Sequence, residues 1–301
     1  MNTPVVDPRE ALPSRVLRSR LLVLAAATLW STSGFFVKAP YFAGWSGPTL
    51  AFWRAAFACT VLFPLVRRPQ WNWRLLPMML SFAAMNYSYL SAMELGSAAN
   101  AIWLQMSAPV WVLLAGVLFF GERATSRDWS LLGFVVTGLA IILWYESRGA
   151  APAAVGWGLM SAFAYAGVVL SLRNLREFDS AWLAALNHAG TVLFLSPFAG
   201  PGAPWPAGIQ WGLLAAFGIV QMGVPYVLFA RGLRHISGHE ATAIGMVEPL
   251  LVPVWVWLAW SERPDWWTLV GGAFILTGLC LRFVRRPAIP ESASSSAMQQ
   301  A

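Results

Sequence analysis

Charge is scarce in this 301-residue chain. Asp, Glu, Lys and Arg make up 11% of it, against about 25% in soluble domains. A soluble fold with 58% hydrophobic residues would expose large sticky patches. Cysteine is nearly absent. Cys59 and Cys280 both sit in apolar runs, where a thiol behaves as a small hydrophobe, so neither a disulfide framework nor a thiolate metal site is expected. His188, His235 and His239 form no HExxH pattern, and the chain has no Walker loop, dinucleotide fingerprint or nucleophile elbow. These absences exclude ATP-driven work by this chain alone, and no cofactor or metal is expected.

What the chain has in quantity is uninterrupted apolar sequence. Ten segments stand out, at about 20–39, 48–66, 74–94, 97–120, 127–146, 153–172, 180–199, 206–230, 236–260 and 266–284. Crossing about 30 Å of hydrocarbon takes roughly 20 such residues in a helix. Barrel strands would alternate polar and apolar residues instead. The expected fold is therefore an all-α integral membrane protein of ten transmembrane helices. Residues 1–19 and 285–301 are read as polar tails, the second disordered. The first segment follows Arg15, Arg18 and Arg20 and is read as a retained helix rather than a signal peptide, because no small-residue cleavage site follows it.

The segments repeat. Ser97, Ala101, Met106, Pro109, Val112 and Glu122-Arg123 recur 140 positions later as Ser237, Ala241, Met246, Pro249, Val252 and Glu262-Arg263. Trp129–Gly133 (WSLLG) then matches Trp267–Gly271 (WTLVG). Two like units, 20–146 and 153–284, are expected. Basic residues orient them. With the N-terminus in the cytoplasm, sixteen arginines fall inside, and only Lys38, Arg148 and Arg263 fall outside. That asymmetry places both termini in the cytoplasm. Each unit has an odd number of helices, so the second is inverted relative to the first, as in carriers with two interconverting states. The net charge of +7 is dispersed over loops, which fits topogenesis and anionic lipid, with no nucleic-acid partner.

Polar groups within the spans each need a reason, because a charge at mid-membrane costs at least about 2.5–3.5 kcal/mol. Arg54 is a candidate anion contact, or an arginine snorkelling to the interface. Glu248, before Pro249, is a candidate proton carrier or amine contact, or a partner for a kinked backbone. His188 follows Asn187 and offers charge coupling or a helix-to-helix bond. Asn86, Tyr87, Gln105, Gln221 and Tyr226 are substrate-cavity candidates, though such residues also bond helix to helix. Trp30, Trp103 and Tyr165 are candidate aromatic walls, Trp30 and Tyr165 holding like positions in the two units. Pro109 and Pro249 are hinge candidates. Gly133, Gly138, Gly271, Gly272 and Gly278 offer small-residue faces for packing within the chain or against a second copy, which makes a homodimer a candidate assembly.

The paired runs APVWVLLAGVLFFGERATSRDWSLLG and EPLLVPVWVWLAWSERPDWWTLVGGAFILTGL, with LWSTSGFFVK and FWRAAF near the start, resemble the EamA-type branch of the drug/metabolite transporter superfamily. The resemblance covers about residues 20–285. It implies a carrier of small metabolites, often amino acids, commonly an exporter in the cell (inner) membrane. It also implies a central cavity lined by segments 1, 3, 4, 6, 8 and 9, with Trp30, Asn86, Trp103, Tyr165, Tyr226 and Glu248 near it. The halves differ where segment 2 carries Trp53-Arg54 and segment 7 carries Asn187-His188.

The expected activity is secondary transport of a small molecule by alternating access, with amino-acid export the leading form. Nucleotide-sugar or drug carriage, in uncoupled or exchange mode, stays open. A lipid-modifying membrane enzyme is disfavoured because every loop is short and none holds paired carboxylates or histidines. A receptor or scaffold has no need of two equivalent gates.

Overall fold

A computed structural model describes residues 8–146 and 152–283. Arg148, Arg285, Arg286, the 285–301 tail and the His239 side chain lie outside the described set. Among the described residues the chain forms fourteen α-helices and no strand, and each of the ten apolar segments is helical. The first is α1 (Pro8–Trp30) and α2 (Ser33–Val37), the second α3 (Gly47–Leu62), the third α4 (Leu75–Leu95). The fourth is α5 (Ala98–Gln105) and α6 (Ala108–Phe120), the fifth α7 (Ser126–Glu146), the sixth α8 (Pro152–Arg173), the seventh α9 (Ser180–Leu195). The eighth runs from α10 (Ile209–Gly218) through a π-helical turn (Ile219–Gly223) to α11 (Val224–Gly232). The ninth is α12 (Gly238–Gly245) and α13 (Val247–Trp260), and the tenth α14 (Trp266–Phe283).

Among the described residues seven stretches are long and apolar enough to cross a membrane: Ser14–Val37, Gly47–Leu65, Ala98–Phe120, Ser126–Glu146, Pro152–Arg173, Ile209–Gly232 and Glu240–Trp260. Trp266–Arg282 is apolar but shorter, and α9 has 16 residues. Asn86, Tyr87, Ser88, Tyr89 and Ser91 dilute the apolar run of α4. One boundary differs plainly from expectation. The first helix begins at Pro8, so residues 8–19, read as tail, are helical. Their Ala, Leu and Arg residues are good helix formers that an apolar window passes over.

Helix breaks recur, and their causes are local. Ser31 and Thr32 turn their hydroxyls back onto the carbonyls of Thr28 (2.6 Å) and Leu29 (2.7 Å), which competes with the helical ladder. Pro109 and Pro249 have no N–H, and their rings crowd the carbonyl four residues back. The chain accordingly breaks at Met106-Ser107 and at Met246. The break in the ninth segment thus precedes Glu248, which sits in the first turn of α13 rather than mid-helix. A fourth irregularity, the π-turn, ends where Pro225 follows.

The principal pairings are α4 along α8, α7 along α14, α3 against α9 and α1 against α11. The α7–α14 crossing is close. A Cβ on Gly138 would lie 2.4 Å from the Gly271 carbonyl, and one on Gly271 would lie 2.7 Å from that of Gly138. The Trp103 ring leaves no room for a Cβ on Gly272. These glycines are engaged inside the chain, whereas Gly133 faces open space.

Candidate functional site

A cavity of about 1490 Å³ runs into the middle of the helix bundle. Its inner wall is built where the irregular elements converge. Trp30 ends α1, Gln105 ends α5, Gln221 sits in the π-turn and Glu248 opens α13; all four line the cavity. The break after Trp30 frees its carbonyl, which accepts from Gln221 Nε2 at 2.9 Å. The Trp30 ring packs edge-on to Tyr226 at 5.4 Å and tilted against Phe229 at 5.4 Å. Tyr165 of α8 also lines the cavity and belongs to the same hydrophobic cluster as Trp30 and Tyr226.

Arg54 is only 2% exposed, so it does not snorkel. Its guanidinium donates to Asn86 Oδ1 and lies 5.0 Å from the Phe217 ring centroid. Among the described residues Arg54 Nε has no hydrogen-bond partner, and the same holds for Gln105 Nε2, Asn187 Oδ1 and Gln221 Oε1. All four residues line the cavity. Such orphans in a buried wall are costly unless a ligand or water meets them. The Glu248 carboxylate forms no hydrogen bond or ion pair among the described residues, and it lines the same cavity as Arg54. A buried guanidinium and a half-buried carboxyl group therefore line a common space.

The mouth is rich in arginine: Arg67, Arg123, Arg173, Arg231, Arg234 and Arg282 border it, with Glu122, Asp128 and Asp179 among them. Arg282 pairs with Asp128 at 2.6 Å and Arg173 with Glu122 at 2.5 Å. Asp179 caps α9 through the Ala181 N–H (3.1 Å) and also accepts from the Arg67 and Arg68 N–H groups (3.0 and 3.4 Å). Burial pushes the Asp179 carboxyl up, but the Arg67, Ala181 and Arg68 amides outweigh it and hold the group below its ordinary value.

The opposite end is sealed. Lys38 Nζ pairs with Glu262 (3.3 Å) and donates to the Gly96 carbonyl (2.5 Å). Glu262 also accepts from the Ala98 N–H (2.8 Å). Trp260 Nε1 donates to the Phe35 carbonyl (2.7 Å), Gln210 Nε2 to that of Tyr41 (2.7 Å) and Thr49 Oγ1 to that of Phe198 (2.8 Å). Gly34 fits against Val252, Val256 and Ala98 with no room for a Cβ.

The sequence profile of the EamA-like transporter family matches residues 17–144 and again 152–284. The chain belongs to this family. Relatives include the pseudopaline exporter CntI of Pseudomonas aeruginosa, 28% identical over 248 residues, covering 78% of this chain and 85% of the relative. An uncharacterized transporter of Archaeoglobus fulgidus is 26% identical over 86% of this chain and 94% of its own length. A riboflavin transporter of Rhizobium johnstonii is 26% identical over 75% and 78%. A solved crystal structure shares the fold with a TM-score of 0.59 at 18% identity, over 88% of this chain and 96% of that one. The protein is a multi-pass membrane transporter of small molecules rather than an enzyme.

Of the residues singled out in the sequence, Trp30, Arg54, Gln105, Pro109, Tyr165, Gln221, Tyr226 and Glu248 line the cavity. The others lie elsewhere. Asn86 stands behind Arg54 as its hydrogen-bond partner. Tyr87 points away, packing on Trp157 and Phe198. Trp103 is buried against α14. His188 is 1% exposed between Phe82 and Tyr226, with neither ring nitrogen bonded. Pro249 is buried one residue beyond Glu248. The cavity also takes Ser33, Phe82, Met85, Tyr89 and Asn187, none singled out as a contact. Helical spacing carried the signal for some of them. Phe82, Asn86 and Tyr89 are four and three apart and share a face, whereas Tyr87 is turned about 100° from Asn86. Among the described residues no cluster of His, Cys, Asp or Glu fits a metal.

Proposed function

We propose that the protein is a secondary transporter that moves amino acids or related metabolites, as an exporter in the cell (inner) membrane, by alternating access. Ten spans in two inverted halves, 20–146 and 153–284, would carry it, with both termini in the cytoplasm. The observation that carries this reading is the cavity holding Arg54 and Glu248, open at the arginine-rich end and sealed at the Lys38–Glu262 end. With the arginine-rich end cytoplasmic, that is a loading state for an exporter. The helix pairings support two interchangeable halves. Segment 3 lies along 6 as 8 lies along 1, and segment 3 meets 7 as 8 meets 2. Broken helices at the cavity wall also suit a carrier, because irregular backbone inside a bilayer is tolerated where it lines a cavity.

Arg54 and Gln105 Nε2 offer donors to a carboxylate, while Glu248, Asn187 Oδ1 and Gln221 Oε1 offer acceptors to an amine. The volume exceeds the roughly 300–1,000 Å³ of common ligand sites, which favours a second reading with a larger metabolite. Counterflow in proteoliposomes tests both. Labelled amino acids, and riboflavin as a large probe, are offered with and without a pH gradient. Exchange of at least one zwitterion supports the first reading, exchange of riboflavin alone supports the second, and binding without flux in every case defeats both.

A further inference from the structure

The repeated Glu-Arg turn sits in two unlike settings. Gly121 (φ 64°) and Ser261 (φ 61°) end α6 and α13 in the same left-handed conformation, so Glu122 and Glu262 leave their helices alike. Glu262 crosses to the other half, accepting from the Ala98 N–H at the start of α5 and pairing with Lys38. Ala98 is 0% exposed there. Glu122 also meets a basic residue of the other half, Arg173 on α8, but among the described residues it caps no helix there. It folds over Gly116 on its own helix and pairs with Arg173, the two side chains 45% and 41% exposed. The residue 140 positions after Ala98 is Gly238, which opens α12 behind the N-cap Ser237 as Ala98 opens α5 behind Ser97. Gly238 is exposed and has nothing within 4 Å of an added Cβ. The basic partners correspond too. Trp30 and Tyr165 are 135 positions apart, and so are Lys38 and Arg173.

We propose that Glu122 and Glu262 are alternating latches, each closing one end of the cavity by capping the facing half's fourth-segment helix. In the state described, Glu262 caps α5 and the Lys38 end is shut. In the opposite state Glu262 lets go, and Glu122, keeping Arg173, swings to the Gly238 N–H and shuts the arginine-rich mouth. A carboxylate on the N-terminal amides of a helix is a favourable contact in either place, so the exchange trades like for like. The inference rests on the alternating-access reading.

The test uses the full chain in nanodiscs, with Cys59→Ser and Cys280→Ser to clear the background. Val252→Cys reports the sealed end, because Val252 is 0% exposed beneath Gly34. Adding Glu262→Gln should raise the maleimide labelling rate by roughly tenfold, the loss of one charged hydrogen bond, while Glu122→Gln should lower it. Equal rates in the two variants, or the reverse order, overturn the proposal. A second variant, Glu122→Cys/Gly238→Cys, reads the approach directly, because a disulfide needs Cα atoms within about 7 Å. Under a mild oxidant it should form, and form faster when Glu262→Gln is added. No crosslink in monodisperse protein overturns the proposal. These rates report the two ends whether or not a compound is carried. Their failure leaves the transport reading standing, and alternation without flux in the counterflow assay would defeat that reading instead.

Discussion

Ser261 is the one non-glycine residue with positive φ among those described. A left-handed conformation costs an L-residue about 1–2 kcal/mol, and its counterpart in the first half, Gly121, avoids that cost. Ser261→Gly is expected to raise the melting temperature in detergent by an amount corresponding to about 1 kcal/mol; a lower melting point would show that Ser261 makes a compensating contact. Glu248 calls for a different measurement. Glu248→Gln keeps the shape and removes the carboxylate that shares the cavity with Arg54. Flux of an amine-bearing substrate should fall by about 2 kcal/mol or more, over tenfold, as when one member of a buried charge pair is lost. Flux of a substrate lacking the amine should change less. At this scale the sequence was half legible. Charged and amide side chains inside apolar runs announce themselves, and Arg54, Gln105, Gln221 and Glu248 do border the cavity. Which of two neighbours faces inward depends on helix rotation, which is why Tyr87 stood in for Tyr89 and His188 for Asn187.

Elements are joined by contacts of two kinds. Where α7 meets α14, two glycines bring backbone against backbone. Gly138→Ala must push a methyl into the Gly271 carbonyl, so a destabilisation of about 1–3 kcal/mol is expected, read as loss of monodisperse protein on heating. Gly133→Ala, facing open space, serves as the matched control and should cost nothing comparable. Where the loop after the second segment meets α9, Asp179 does the joining. Its carboxyl sits below its ordinary value, so the stability it confers is present above the unfolded pKa of about 3.9 and is lost as pH falls through the lower folded value. Asp179→Ala should therefore cost about 1 kcal/mol at neutral pH and little once the parent's carboxyl is protonated. A melting difference that persists unchanged to low pH would contradict this. The breaks in the fourth and ninth segments were legible through Pro109 and Pro249. The break at Ser31-Thr32 and the π-turn were not, because hydroxyl back-bonding and a π-turn leave no apolar periodicity to read.

At the scale of the molecule, the EamA-like profile matches residues 17–144 and again 152–284, and one copy of the repeated motif lies in each match. The shape of the cavity was not legible. Under the proposed alternating access it depends on which end is shut, and the repeated motif reads alike for either condition. The mouth and the seal hold the same repeated turn, with Glu122 in one and Glu262 in the other. Only three-dimensional contacts tell them apart.

The seal has a consequence for how such a chain tolerates change over generations. Several of its cross-contacts run from a side chain to a main-chain group: Lys38 to Gly96, Trp260 to Phe35, Gln210 to Tyr41, Thr49 to Phe198, and Glu262 to the amide of Ala98. Every residue type supplies a carbonyl, so the receiving positions are under no hydrogen-bonding demand to keep their side chains. Drift should accordingly be lopsided. Among homologous chains, Lys38, Thr49, Gln210, Trp260 and Glu262 should hold their chemistry, while Tyr41, Gly96 and Phe198 vary within the limits of size. Such a closure can be inherited through divergence by keeping half of each pair.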